Sequence, residues 1–297
     1  MTEEGASGKR KREKRGGRGK RVSLKEDEDK KSLFGNYSGY KRRRTGRDSD
    51  VDRRIELFKR EWFAGKDVVD LGCNDGAVLI EIASKHSIKS GIGVEIDEKL
   101  ILRGRDALRK EVSKRKPRNT TIRGAYDAEV EKMKGWVPLS FRLAGMKGRP
   151  TSDSIDGEGY PFNVTFICED ILNESAGYLT EDSCDVVLLL SVTKWIQLHG
   201  GDKALKSLFH RIFRGLREGG ILILEPQPFH SYKRKIKLHS HLRENYSRIR
   251  LKPEKFVNYL TKKVGFESTQ VVRDREEGKG HQFNRAIYLL TKGKSAH

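Results

Sequence analysis

The chain has 297 residues, enough for one large domain with a sizeable core and a tail. Its 62 Lys or Arg against 42 Asp or Glu give a net charge of +20, which points to a polyanionic partner. No apolar stretch reaches membrane-spanning length and no signal-peptide pattern begins the chain, so neither a membrane-spanning nor a secreted protein is expected.

Residues 1–31 carry 12 Lys or Arg against 7 Asp or Glu, with Lys9-Arg10-Lys11-Arg12 the densest cluster. Such low-complexity sequence cannot build a core and reads as a disordered basic tail. It serves nuclear localisation or RNA binding, or else only solubility. The remaining residues hold 50 against 35, so the expected domain at 32–297 is itself basic by fifteen charges. It opens with Tyr37 and Tyr40, then Lys41-Arg42-Arg43-Arg44. Aromatics interleaved with cations suit base stacking with phosphate contact, or simply a solvated arm. Arg53 to Trp62 is expected to form a helix leading into the first strand.

The stretch Val68-Val69-Asp70-Leu71-Gly72-Cys73-Asn74-Asp75-Gly76 organises the rest of the chain. A short apolar run ends in a glycine turn, and Ala77 to Ala83 then reads as the start of a helix packed on a sheet. The pattern D-x-G-x-x-x-G differs from the G-x-G-x-x-G that cradles a pyrophosphate. It suits a ligand with no phosphate at that point, such as S-adenosylmethionine, with Asp70 facing its amino-acid end. Gly91 to Asp97 is a second strand, and Glu95 lies 19 residues past Gly76, a spacing at which carboxylates take ribose hydroxyls. The two halves together predict an α/β fold of the class I, Rossmann-like S-adenosylmethionine-dependent methyltransferase type. A Rossmann-like domain with no adenosyl ligand is the competing reading.

Leu100 to Lys114 has helical spacing. Residues 115–160, with Pro117, Pro138 and Pro150, read as a loop insertion. Phe162 to Cys168 is the next strand, and the acids after it, Glu169 and Asp170, either meet an adenine amino group or cap a turn. Asp185 to Leu190 is the most apolar run and is expected to be the central fourth strand. It delivers Ser191-Val192-Thr193-Lys194-Trp195 to its carboxyl end, where open α/β sheets place their chemistry. Alternatively Trp195 packs on the sheet and Lys194 sits at a rim. Gly201 to Leu216 reads as a helix closed by a Gly219-Gly220 cap signal. Ile221 to Pro226 is a fifth strand, followed by the loop Gln227 to Lys235. Cys73, Cys168 and Cys184 are too scattered for disulfides or zinc and are expected as buried thiols.

Several of these stretches together resemble the Bin3 family. They are Gly35-Asn36-Tyr37, Glu61-Trp62-Phe63, Asp70 to Asn74, Leu190-Ser191-Val192-Thr193-Lys194-Trp195-Ile196, Leu224-Glu225-Pro226-Gln227-Pro228-Phe229, Leu251 to Phe256, and Phe283-Asn284-Arg285. The resemblance runs from about Phe34 to Thr291. It implies a seven-stranded, mostly parallel sheet and a methyltransferase that places a methylphosphate cap on the 5′ end of a small nuclear RNA. It also implies a cofactor pocket lined by Asp70, Gly72, Cys73, Asn74, Gly76, Glu95, Ile96, Asp170, Ile171 and Leu190. Tyr37, Tyr40 and Arg54 match an N-terminal segment that looks like a lid over cofactor and RNA end. The chain departs from the family pattern in its shorter aromatic run at Tyr37-Ser38-Gly39-Tyr40, in Glu95 where Asp is usual, and in Asp170-Ile171.

A phosphate oxygen is already anionic at neutral pH, so the site needs alignment and counter-charge rather than a general base. Lys194, Tyr37 and Tyr40 are therefore the expected catalytic, positioning residues. Lys41, Lys194, Lys233, Arg234 and Arg285 are expected to grip the 5′ phosphates, with Trp195 and Phe283 stacking. No metal is expected, and His199, His230 and His239 read as ordinary histidines. The expected activity is methylation of the 5′ γ-phosphate of a 7SK-type or spliceosomal small RNA. The alternatives are an RNA 5′-monophosphate methyltransferase, a nucleobase methyltransferase, or an RNA-binding chaperone with dispensable catalysis. A monomeric nuclear protein is expected, with a small noncoding RNA and a La-related protein as partners.

Overall fold

A computed structural model describes residues 34–35, 44, 52–115, 159–274 and 285–294. The basic tail at 1–31, Tyr37, Tyr40, Lys41, Phe283 and residues 116–158 of the expected insertion lie outside the described residues. The sheet and the site belong to the unit formed by Gly39–His297.

Short runs of β-branched and leucine side chains become the strands. In chain order the elements are β1 (Asp67–Leu71), α1 (Ala77–His86), β2 (Ser90–Glu95), α2 (Glu98–Arg115), β3 (Val164–Cys168), β4 (Cys184–Leu190) and α3 (Thr193–Gly215). They continue with β5 (Leu216–Glu225), α4 (Ser240–Arg248), α5 (Phe256–Tyr259), β6 (Phe266–Arg273) and β7 (Ile287–Lys292). One seven-stranded sheet has the order β3-β2-β1-β4-β5-β7-β6. The strands from β3 to β5 pair in parallel, and β7 runs antiparallel between β5 and β6. This is the class I methyltransferase architecture read from the sequence. Strand order reverses between β1 and β4, so the carboxyl ends of these two strands bound the crevice where such sheets take ligands.

The central strand shows why its sequence is so apolar. Val187 and Leu189 join the hydrophobic cluster on one face of the sheet, with Leu205, Leu208, Phe209 and Ile212 of α3. Val186, Leu188 and Leu190 join the other, with Val78, Leu79, Ile82 and Ala83 of α1. A strand covered on both faces needs apolar residues at every position rather than at alternate ones. Truncating fully buried Leu188 to Ala is expected to cost about 2–5 kcal/mol.

Several local expectations are corrected. Arg53 to Trp62 is not one helix but two single turns, Ile55–Leu57 and Arg60–Trp62. The backbone is extended at Phe58 (ψ 124°), which lets Ile55, Phe58 and Phe63 all reach the core. The helix expected from Gly201 is present, and a further helical segment from Thr193 precedes it across a break at Gly201 (φ 67°, ψ −168°), so α3 is two helices in succession. Gly219 and Gly220 do not cap that helix. They lie inside β5, where Cys184 pairs with Leu216 but Val186 already pairs with Ile221, so the intervening residues bulge out. Of the three thiols, Cys73 and Cys184 are buried, but Cys168 is exposed. It ends β3, an edge strand of the sheet covered along only part of its length.

Candidate active site

The glycine loop is hung on the end of β2. Gly72 (φ 76°) and Cys73 both donate their N–H to the Val94 carbonyl, at 2.8 and 3.0 Å. Gly76 (φ 73°) then turns the chain into α1. A Cβ at Gly76 would sit 2.2 Å from the Phe166 ring, and one at Gly72 would sit 2.8 Å from Val192. Glycine is thus required twice over, by left-handed backbone and by the close approach of β3 and of the turn after β4.

Two buried carboxyls face this loop and differ in their partners. Glu95 accepts N–H bonds from Asn74 (3.1 Å), Ile96 (3.0 Å) and Asp97 (3.2 Å), which fix the loop relative to β2. Four lone-pair directions less three N–H donors leave Glu95 room for one further donor, such as a ribose hydroxyl. Burial pushes its pKa up. Asp70 makes no side-chain hydrogen bond among the described residues, and burial raises it to about 7. Arg54 opposes that shift, while Glu95 and Asp52 add to it. A buried, unsatisfied acid is a place for a cation to complete. Asp70, the glycine cradle and the exposed apolar Ile96 beside Glu95 therefore fit the ammonium, the carboxylate-bearing chain and the nucleoside of S-adenosylmethionine. Leu190 adds an apolar wall at the end of β4.

Asp170 is exposed and uses Oδ1 to cap a turn by accepting from the Leu172 N–H at 2.9 Å. Ile171 is buried, and its carbonyl accepts from Arg211.

The turn after β4 is tied to the end of β5 by a dense polar knot. Ser191 has a left-handed backbone (φ 63°), costly for a residue with a Cβ and characteristic of functional turns. The Gln227 side chain staples it: Nε2 donates to the Ser191 carbonyl, while Oε1 accepts from Thr193 Oγ1 and Lys194 N at 3.1 Å each. Glu225 is wholly buried and accepts from Arg44 (2.8 and 2.9 Å), Arg54 (2.9 Å), Arg273 (3.3 Å) and Ser191 Oγ (2.5 Å). Ser191 Oγ in turn accepts from Arg44 (2.5 Å) and Arg285 (2.6 Å). Burial alone would raise the Glu225 pKa, but Arg44, Arg54 and Arg285 hold it far below the carboxylate range. One carboxylate thereby gathers segments before β1, at the end of β6 and just before β7 around the turn after β4.

Lys194, on the first turn of α3, is buried and has no acidic partner among the described residues. Burial first, then Arg285, Lys235 and Arg234, lower it to about 7. Its Nζ lies 5.0 Å from the centre of the Trp195 ring, and Lys235 Nζ lies 5.6 Å from the same ring. Cations over an indole gain its quadrupole but keep their mutual repulsion. An anion placed at Lys194 would relieve that repulsion.

The structure brings together Lys194, Trp195, Arg234 and Arg285 as expected neighbours, and adds Lys235. Lys233 is exposed and is not among the charges acting on Lys194. Trp195 is only 8% exposed, with the Lys194 and Lys235 ammonium groups close to its ring, so little of it is open for stacking. Arg54 spends its guanidinium on Asp52 (3.0 and 2.7 Å) and Glu225, which makes it a clasp between segments rather than a free lid group. The basic run carries no sign that Arg44 is buried against Glu225, nor does any pattern single out Arg273. The paired motifs around Ser191 and Gln227 are visible in the sequence, but their mutual hydrogen bonds are not.

The model of the Bicoid-interacting protein 3 (Bin3) family matches residues 184–292, which span β4 to β7 and carry this knot. The human 7SK snRNA methylphosphate capping enzyme is 38% identical over 283 residues, covering 90% of this chain and 40% of that protein. A probable RNA methyltransferase of Arabidopsis thaliana is 34% identical, with 87% of this chain and 80% of its own length covered. The U6 snRNA methylphosphate capping enzyme Amus of Drosophila melanogaster is 33% identical, covering 90% and 77% respectively. The chain therefore spans well under half of the human relative but most of the plant and fly ones, and it belongs to the Bin3 family.

Proposed function

We propose that this chain is an S-adenosylmethionine-dependent RNA methyltransferase that methylates the 5′ γ-phosphate of a small noncoding RNA. The observation that carries the reading is buried Lys194, set among the cations Arg234, Lys235 and Arg285 beside the glycine-loop crevice. The family relatives named as snRNA methylphosphate capping enzymes support it.

When bound, S-adenosylmethionine supplies an activated methyl group on a sulfonium. The chain's own residues have simpler tasks. Asp70 and Glu95 hold the cofactor's cationic and hydroxyl groups. Lys194 and Arg285 hold the phosphate chain, and the Ser191–Gln227 staple fixes Lys194 on the crevice side of β4. A phosphate oxygen requires no proton removal, and the charges that act on Lys194 are all cations. Preorganised counter-charge of this kind is worth about 10²–10³ in rate for a single donor. The protein works in the nucleus as a monomer, with a La-related protein as a companion on the RNA.

The test is methyl transfer from labelled S-adenosylmethionine to one small nuclear RNA bearing a triphosphate, monophosphate, hydroxyl or guanosine-capped 5′ end. Label confined to the triphosphate RNA, and lost when the terminal phosphates are removed, supports the reading. Transfer to the monophosphate end shifts it to 5′-monophosphate methylation. Equal labelling of all four ends places the methyl on a base or ribose and overturns it. Tight RNA and cofactor binding without label leaves an RNA chaperone.

A further inference from the structure

Much of the body's charge surplus is concentrated in one stretch beyond the cation cluster. Residues 229–255 hold 9 Lys or Arg against 2 Glu, a surplus of seven out of the fifteen carried by residues 32–297. One of those two acids, Glu244, is paired with Arg248 at 2.7 Å, leaving Glu254 to oppose the rest. Aromatic rings are set among these cations. Phe229 and Tyr246 stack at 5.1 Å with planes 12° apart, and Lys252 Nζ lies 5.4 Å from the Phe229 ring centre. Phe229 and Tyr246 are half-buried and Lys252 is exposed, so part of the ring surface is reached by solvent.

This platform is fixed to the helix that carries Lys194 and Trp195. Phe229 packs 5.1 Å from Tyr232, which is buried and donates its hydroxyl to Gln197 of α3 at 2.7 Å. Asn245 of α4 donates to the carbonyls of Leu198 and His199, both at 2.9 Å, which seats α4 against α3. Lys235 and Arg234, between the two areas in sequence, act on Lys194 electrostatically. The loop that carries Arg234 and Lys235 thus links the phosphate cluster to the Phe229–Tyr246 stack along the chain.

We propose that this face, built from Phe229, Tyr246, Lys252 and the exposed cations between residues 229 and 255, binds the RNA nucleotides that follow the methylated 5′ end. The proposal rests on the RNA 5′-phosphate reading and extends it. A surface of cations with embedded rings binds single-stranded nucleic acid by phosphate neutralisation and base stacking, with little sequence readout. The cluster at Lys194 then holds the terminal phosphates, while selection for RNA over a free nucleoside triphosphate comes from the outer face.

The experiment compares two 5′-triphosphorylated substrates, a dinucleotide and an RNA of about 20 nucleotides, long enough to cross the face. The variants are Tyr246→Leu, Tyr246→Phe and Lys252→Gln. Methyl transfer is read as KM and kcat, and RNA affinity is read separately by fluorescence anisotropy without cofactor. Tyr246→Leu is expected to raise KM and Kd for the longer RNA about tenfold, the loss of one stacked base, with kcat unchanged. Tyr246→Phe keeps the ring and is expected to behave as wild type, which separates stacking from folding. Lys252→Gln is expected to flatten the slope of log Kd against log salt by about one. All three are expected to leave KM for the dinucleotide unchanged. Longer-RNA binding equal to wild type in Tyr246→Leu and Lys252→Gln overturns the proposal and leaves the face to a protein partner. An equal loss on dinucleotide and longer RNA overturns it too, because the residues then serve the end site. If the wild type methylates neither substrate, the 5′-phosphate reading itself has failed.

Discussion

Asp70 and Lys194 stand at the carboxyl ends of β1 and β4, which are neighbours in the sheet, and burial moves them in opposite directions to the same place. The acid rises to about 7 and the lysine falls to about 7. Neither has a hydrogen-bonded counter-charge among the described residues. Glu225, as deeply buried at the end of β5, is held ionised because Arg44 and Arg54 meet it directly. Desolvation acts on all three alike, so the partner decides the outcome. A buried charge supplied with its partner is part of the fold, and one left without it is a binding site. On the proposed function, the acidic side at Asp70 takes the cationic cofactor and the basic side at Lys194 takes the polyanion.

The largest expected effect comes from breaking the satisfied member of this comparison. Glu225→Gln leaves Arg44, Arg54 and Arg273 clustered without their anion and is expected to destabilise the fold by about 3–5 kcal/mol in thermal or urea unfolding. The folded pKa of Glu225 is depressed. Its contribution is therefore present above the unfolded value of 4.5 and is lost as pH falls toward the folded one. The gap between wild type and variant should be full at neutral pH and shrink below about 4.5. Equal stability at neutral pH would mean that the knot is ornamental.

The next effect tests the unsatisfied basic side. Lys194→Ala removes the central cation but leaves Asp70 and Glu95 in place. Methyl transfer is expected to fall about 10²–10³-fold, with cofactor affinity by calorimetry within twofold of wild type. Loss of cofactor affinity in this variant would place Lys194 on the other side of the crevice.

The two sides are not equally legible in the sequence. The acidic side announces itself locally: Asp70, Gly72 and Gly76 lie within seven residues, and Glu95 comes at a fixed spacing after them, so periodicity and turn chemistry find them. The five parallel strands are legible for the same reason, each being a compact apolar run. The basic side is assembled from distant segments. Arg44 meets Glu225 across 181 residues and Arg285 meets Ser191 across 94, and no local pattern encodes such pairings. A buried arginine clasp and a solvated basic run have the same sequence, which is why Arg44 reads as one more cation beside Lys41. The antiparallel pair β6–β7 is not individually anticipated either: β6 is an edge strand with mostly exposed residues and no apolar run to betray it.

The smallest effect is the one that sets the two sides directly against each other. A cationic cofactor binds the ionised form of Asp70, so its affinity should rise with pH up to about 7 and then level off. Binding below that pH should release a proton, visible as a buffer-dependent heat in calorimetry. An RNA phosphate end binds the protonated form of Lys194, so its affinity should fall as pH climbs past about 7, with proton uptake on binding. Each limb is limited to about tenfold per pH unit, and the product is a bell-shaped kcat/KM. Asp70→Asn should flatten the cofactor limb alone, lowering affinity about tenfold at pH 8 but little at pH 6. Lys194→Ala should flatten the RNA limb alone. If one substitution flattens both limbs, the two groups titrate as a coupled pair, and the division of the crevice into separate acidic and basic sides fails.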